Sequence, residues 1–168
     1  MNIQLTQVFD APVDIVLRAR DERFAHIEKI PGLKPRNILE RKETATGWQT
    51  RREFEAGENA VPGAVKKMLS PDMFKFVEHL TFDAAAKTMT WHMEPAAQKD
   101  NLTWKGVSRF VDRADGKSER IIDCTIRVKA PIIGGQLEKA IASGFKKSME
   151  KDHATIQAMI ALINKGEV

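Results

Sequence analysis

Short stretches of apolar–polar alternation fill most of the chain, and one helical stripe occupies its end. Residues 2 to 9 place Ile3, Leu5 and Gln7 on one side and predict a first strand. The rhythm changes at Asp10. Pro12 suits the first turn of a helix, where its missing N–H costs nothing, and Val13, Val16 and Leu17 keep helical spacing. Asp21 is placed to cap a second short helix carrying Phe24, Ile27 and Ile30, which Pro31-Gly32 ends.

A run of strands follows. Residues 34 to 43 and 47 to 55 predict two strands joined by a turn ending in Gly47, with Trp48, Thr50, Arg52 and Phe54 on one face of the second. Val61, Val65, Met68 and Leu69 predict a short helix that interrupts the strands and is placed to act as a lid. Residues 73 to 82 put Phe74, Phe76, Glu78, Leu80 and Phe82 on one face; residues 88 to 94 do the same for Met89, Trp91 and Met93. A hairpin through 84 to 87 sets Leu80 opposite Trp91 and Phe82 opposite Met89, so that both apolar faces coincide. Residues 102 to 113 and 117 to 130 predict a further hairpin closed by Ala114-Asp115-Gly116, pairing Ser108 with Ile122, Gly106 with Cys124 and Trp104 with Ile126. In its second strand Ile122, Cys124, Ile126 and Val128 point in, and the residues between them point out to water.

The last element is a long helix from Gly134-Gly135 to about Asn164. Leu137, Ile141, Phe145, Met149, Ile156, Ile160 and Ile163 form its stripe, while Lys139, Lys146, Lys147 and Lys151 face elsewhere. Strands followed by a helix, with no strand–helix–strand repeat, predict the α+β class. The expected solution is a curved antiparallel sheet of about seven strands with the long helix across its concave side.

Composition narrows the function classes. A chain of 168 residues fits one domain, here 1 to 168, and can bury roughly 70% of its unfolded surface. The net charge of +4 is too small to indicate nucleic acid, and aromatics that point inward offer no stacking platform for bases. One cysteine, Cys124, permits neither an internal disulfide nor a cysteine zinc cluster. No stretch reaches the roughly 18 apolar residues of a membrane span, and residues 1 to 6 lack a signal-peptide pattern, so a reducing cytoplasm is expected. Neither a glycine-rich dinucleotide turn nor a phosphate loop is present, and no cofactor is expected.

The order of elements resembles the START-like or SRPBCC superfamily, the helix-grip fold of the birch-pollen allergens. Its local cues are Phe9-Asp10-Ala11-Pro12-Val13-Asp14-Ile15-Val16, Pro31-Gly32, and above all Pro131-Ile132-Ile133-Gly134-Gly135-Gln136-Leu137-Glu138. The sequence resembles uncharacterised bacterial members, and more weakly the PRELI-type phospholipid-transfer proteins. The resemblance implies a cavity between sheet and long helix that takes a lipid or another apolar small molecule. It leaves open an enzyme of cyclase, dehydratase or hydrolase type and a co-chaperone-like interaction module.

The inward face supplies the candidate ligand-binding residues. They are Arg52 and Phe54; Phe76, Glu78 and Leu80; Trp91 and Met93; Trp104; Cys124 and Ile126; and Ile141, Phe145 and Met149 on the helix. Such a stripe also serves as plain core. A lining rich in Met and devoid of Tyr suits an acyl chain. Arg52 and Glu78 are charges on an otherwise apolar face. They either pair with each other, hold a ligand head group, or sit in water near a strand end. Glu78 is the leading acid or base for an enzyme; Glu40 is ambiguous and has no triad beside it. His79 and His92 fall opposite each other on the outer face as a solvated pair, without a third metal ligand. Cys124 reads as a small apolar filler. Gly134-Gly135 reads as a tight turn needing unusual backbone angles, and Gly144 as a place where the cavity widens. The helix lysines form a basic face suited to transient contact with an anionic membrane surface.

Overall fold

The computed structural model describes residues 1–55, 71–97 and 99–168. Strand β1 (Asn2–Phe9) leads into helix α1 (Val13–Glu22) and a 3-10 segment (Arg23–Lys29). Six further strands follow: β2 (Ile38–Thr44), β3 (Gly47–Glu55), β4 (Lys75–Asp83), β5 (Thr88–Pro95), β6 (Leu102–Asp112) and β7 (Ser118–Val128). Helix α2 (Gly134–Lys165) closes the chain. The seven strands form one antiparallel sheet in the order β1-β7-β6-β5-β4-β3-β2. This is the α+β arrangement of antiparallel sheet and long helix that the alternation predicts, and the helix-grip fold that the resemblance implies.

Both predicted hairpins have the predicted register. Leu80 faces Trp91 and Phe82 faces Met89; Gly106 faces Cys124 and Trp104 faces Ile126. Burial follows the same alternation, with Met89, Trp91, Met93, Trp104, Ile122, Cys124 and Ile126 all inside. A one-residue slip in any of these strands would turn its apolar set to water, which is why the register is legible.

Several local expectations are corrected. The strand predicted at 34 begins only at Ile38, as an exposed edge strand with a bulge after Ile38. Asp21 caps nothing: it lies inside α1, and the second helix continues α1 as a 3-10 segment. Pro12 precedes α1, and its carbonyl accepts from the Val16 N–H (3.1 Å). The Val13 N–H, left free at the helix start, donates to the Asp112 carboxylate at 2.7 Å. Phe74 belongs to a 3-10 turn (Pro71–Phe74) that leads into β4. The helix expected between Val61 and Leu69 lies outside the described residues.

Two glycines are set by close approach. A Cβ on Gly134 would stand 2.7 Å from the Val128 carbonyl oxygen, so the turn into α2 needs glycine for space and not for unusual backbone angles. A Cβ on Gly106 would fall 2.4 Å from Trp91 Cζ2 and 2.6 Å from the Asp123 carbonyl oxygen. The Trp91 indole therefore lies over the bare backbone of its cross-strand partner, a place where strand glycine is kept for packing.

The helix packs closely on α1 and β7 and stands off from β3, β4 and β5. The junction is held by Glu138, whose Oε1 accepts from the Val128 N–H at 3.0 Å. Beyond it, the curving sheet rises away from the helix and leaves space between them.

Gly106→Ala is expected to destabilise the fold by about 1–3 kcal/mol, because overpacking must displace the Trp91 ring. Urea unfolding followed by tryptophan emission checks this, since the ring should also change environment. An unchanged midpoint with an unchanged spectrum would show that Trp91 does not lie on Gly106.

Candidate functional site

The space between the concave face and α2 is a cavity of about 860 Å³. Strand alternation supplies one wall: Arg52 and Phe54 from β3, Phe76, Glu78 and Leu80 from β4, Trp91 and Met93 from β5, and Trp104 from β6. Helical spacing of four residues supplies the other, with Ile141, Phe145 and Met149. Trp104 is the centre of the aromatic wall. Phe76, Phe54, Phe145 and Trp91 meet it edge-on with ring centroids at 5.6, 6.0, 6.3 and 6.5 Å. Such edge-to-face contacts fix rings more firmly than area burial alone.

Eleven of the thirteen predicted ligand-binding residues thus border one cavity. The other two do not. Ile126 is fully buried beside it, and Cys124 packs in the core, where burial pushes its thiol up to about 11. That thiol is inert at neutral pH. Gly144 borders the cavity with Ser143 and Ser148. Lys147 and Lys151, expected on an outer basic face, stand at its rim.

Arg52 and Glu78 pair with each other. Arg52 Nη2 donates to Glu78 Oε1 at 2.9 Å, and its Nε donates to Oε2. This bidentate fork satisfies the buried carboxylate and leaves Arg52 engaged. Glu40 is elsewhere, on the edge strand, paired with Lys42 at 2.8 Å. His79 and His92 stack on the convex face with centroids 4.5 Å apart, and His79 Nε2 lies 2.9 Å from Glu94 Oε2.

A second polar group at the cavity was not anticipated. Arg23 Nη2 and Arg120 Nη1 donate to the two oxygens of Asp152 at 2.5 and 2.7 Å. Arg23 Nη1 also reaches Thr155 Oγ1 at 3.0 Å. Burial alone would raise the Asp152 carboxyl, but Arg23, Arg120 and Arg20 hold it far below the usual carboxylate range. Arg20 is only 4% exposed; among the described residues its Nε has no partner and its sole acceptor is the exposed Asp21 at 3.3 Å. Burial and the neighbouring Arg120 push its guanidinium down to about 10. Arg36 lies over the Phe24 ring at 3.8 Å. Burial, then Arg20 and Arg52, lower it as well.

The signals were present for three of these residues. Arg120 continues the inward alternation of Ile122, Cys124 and Ile126 toward the start of β7. Asp152 falls on the helix stripe between Met149 and Ile156, and Arg20 three residues beyond Leu17 on the buried side of α1. A charge on an apolar stripe is the mark they share. Arg36, in an irregular segment, carries no such mark.

The model of the family described as "Protein of unknown function (DUF2505)" matches residues 4–160. The chain belongs to that family. No curated protein sequence matches it. The DUF2505 chain is similar in structure to the Zhui aromatase/cyclase from Streptomyces sp. R1128, with TM-score 0.63 and 10% identity over 96% of this chain and 94% of the other. It is similar to a START superfamily protein from Mycobacterium smegmatis, with TM-score 0.54 and 14% identity over 96% and 98% of the two chains. Norcoclaurine synthase from Thalictrum flavum gives TM-score 0.58 and 15% identity over 97% and 86%. These likenesses establish the START-like helix-grip fold for this DUF2505 protein. Among its described residues no helix is long and apolar enough to cross a membrane.

Asp152→Asn should cost about 3–5 kcal/mol, because Arg23 and Arg120 are left buried without a counter-charge. The pH dependence has a definite sign. The folded carboxyl sits below its unfolded value of about 3.9, so its contribution is complete above about pH 5 and is lost as the pH falls through the acid range. Thermal unfolding of both proteins between neutral and acid pH measures this: the gap between wild type and variant should narrow on acidification. A gap independent of pH would contradict the Asp152 assignment.

Proposed function

We propose that this protein binds an apolar small molecule, a lipid or a comparable metabolite, in the cavity between the sheet and α2. The observation that carries the reading is the cavity itself. Its volume of about 860 Å³ lies within the 300–1,000 Å³ typical of ligand sites. The apolar part of its walls is made of Phe, Trp, Met, Leu and Ile side chains placed there by strand and helix periodicity. Apolar burial at about 25 cal/mol per Å² drives association, less the cost of ordering the ligand. The aromatic wall is rigid and the methionines adapt, which suits a flexible chain better than a flat polar ring.

Carriage without chemistry is favoured over catalysis by the state of Glu78 and Asp152. Both oxygens of Glu78 are engaged by Arg52, and both of Asp152 by arginines, so neither is a free general base in the cavity. The cavity reaches solvent beside the exposed Lys34, Lys129, Lys147 and Lys151. Loading from an anionic membrane surface through these lysines belongs to the same reading.

Phe145 packs on Trp91 and Trp104 with ring centroids at 5.5 and 6.3 Å, so the larger indole of Phe145→Trp should intrude on the cavity beside them. The neutral dye phenylnaphthylamine reports the result by fluorescence. Its affinity is expected to fall by about tenfold or more, with the melting temperature within about 4 °C of wild type. Undiminished dye binding in a folded variant would place the ligand elsewhere.

A further inference from the structure

The charges around the cavity do not balance. Among the described residues eight basic and three acidic side chains border it, so its wall holds more than the +4 excess of the whole chain. The imbalance is concentrated at one end. Arg52 and Glu78 neutralise each other. Asp152 is shared by Arg23 and Arg120 and lies close enough to act on Arg20. Among the described residues Arg20 and Arg36 then remain without a buried carboxylate of their own. Among the described residues, Arg20 is nine-tenths buried with an unpaired Nε, and Arg36 has its ring contact with Phe24 as its one close partner.

The opposite end is different in kind. There Leu102, Val128, Ile133 and Leu137 border the cavity, with the exposed Asn101 and Lys129 at its rim. Leu137 and Asp152 are fifteen residues apart on one helix, which sets the two ends about 22 Å apart. The cavity is therefore amphipathic along its length, with guanidinium groups at one end and aliphatic side chains at the other.

From this arrangement we propose that the ligand is an anionic amphiphile, whose terminal carboxylate or phosphate is received by Arg20 and Arg36 while its apolar body lies along Trp104, Phe145 and Leu137. The proposal rests on the reading of the cavity as a ligand site and specifies its chemistry. A guanidinium presents a planar fork that matches either oxyanion, and keeps its charge where a buried ammonium would lose it. Repulsion of Arg20 by Arg120, and of Arg36 by Arg20, disfavours the unliganded state, and an entering anion relieves it. Residues held in such a state for a ligand lower stability; residues that serve only the fold raise it.

The test titrates the purified protein, by tryptophan fluorescence, with dodecanoate, dodecyl phosphate, dodecanol and inorganic phosphate. At least one of the two anionic chains should bind about tenfold or more tightly than dodecanol. Inorganic phosphate alone should neither bind comparably nor displace the chain. Arg36→Gln should lower the affinity for the preferred anion by about tenfold and leave that for dodecanol within about twofold. Arg20→Met should abolish the preference and raise the melting temperature by a few degrees, on the order of 2–6 °C. Equal affinity for dodecanol and both anions would overturn the head-group assignment while leaving an apolar ligand site in place. So would a preference that survives both variants, or a fall in melting temperature with Arg20→Met. Inorganic phosphate binding as tightly as dodecyl phosphate would assign the site to a free anion and overturn the amphiphile. If none of the chains binds, the reading of the cavity fails with it.

Discussion

Asp152 sits where the three layers of the protein meet. Its carboxylate accepts from Arg23, just past the end of α1, and from Arg120 on β7, and its own backbone belongs to α2. Gln7 of β1 extends the connection, donating to the Met149 carbonyl at 2.7 Å and facing Arg120 through its other amide atom at 3.4 Å. Apolar burial would hold a helix against a sheet without choosing its rotation or its height. A buried carboxylate with two directed guanidinium partners chooses both, since any other placement strands charges in a dry interior. The long helix is thus pinned along one side of the sheet.

The cavity follows from that pinning. With α2 held over β1 and β7, the curving sheet carries β3, β4 and β5 away from it. Those strands still present apolar side chains on their concave face, because alternation continues regardless of what lies opposite. Rings as large as Trp91, Trp104 and Phe76 shape the space and support one another edge-on. Gly106 contributes by omission: the bare backbone lets Trp91 lie flat enough to line the wall.

Most of the fold was legible because its elements obey strict periods. The pairs Leu80–Trp91 and Trp104–Ile126 followed from alternation together with turn chemistry, and the limits of α2 from an uninterrupted stripe. The misplaced start of β2 has a physical cause. Its residues are almost all exposed, so no buried face fixes where alternation begins. The apolar half of the site was legible for the same reason as the fold. Of the charged half, Arg52 and Glu78 were legible as charges on an apolar face; for Arg20, Arg120 and Asp152 the same mark singles out the residue but not its partners, which lie far away in sequence. Arg23 and Asp152 are separated by 129 residues, and nothing local announces the pair. Cys124 and Ile126 show the converse: an inward-pointing residue borders a cavity only where the facing element stands off, which a strand pattern does not reveal.

The division of the cavity into a charged end and an apolar end arises from two periods read in opposite directions. Along β7 the inward residues run Ser118, Arg120, Ile122, Cys124, Ile126. Along α2, one face runs Asp152, Met149, Phe145, Ile141, Leu137 from the middle toward the start. Because β7 leads directly into α2, the helix doubles back along the strand, and the polar start of one list meets the polar start of the other. The same reversal brings Val128 beside Leu137 at the far end. No inserted loop or separate polar patch is required: two gradients, one of period two and one near three and a half, are superimposed by a single turn at Gly134. Arg20 joins the charged end from α1, which packs on α2 near it. A fold that needed only to anchor its helix would be served by Asp152 with two arginines. The additional guanidiniums of Arg20 and Arg36 add repulsion and no further anchorage, and their place at the end of an apolar cavity is what gives them a use.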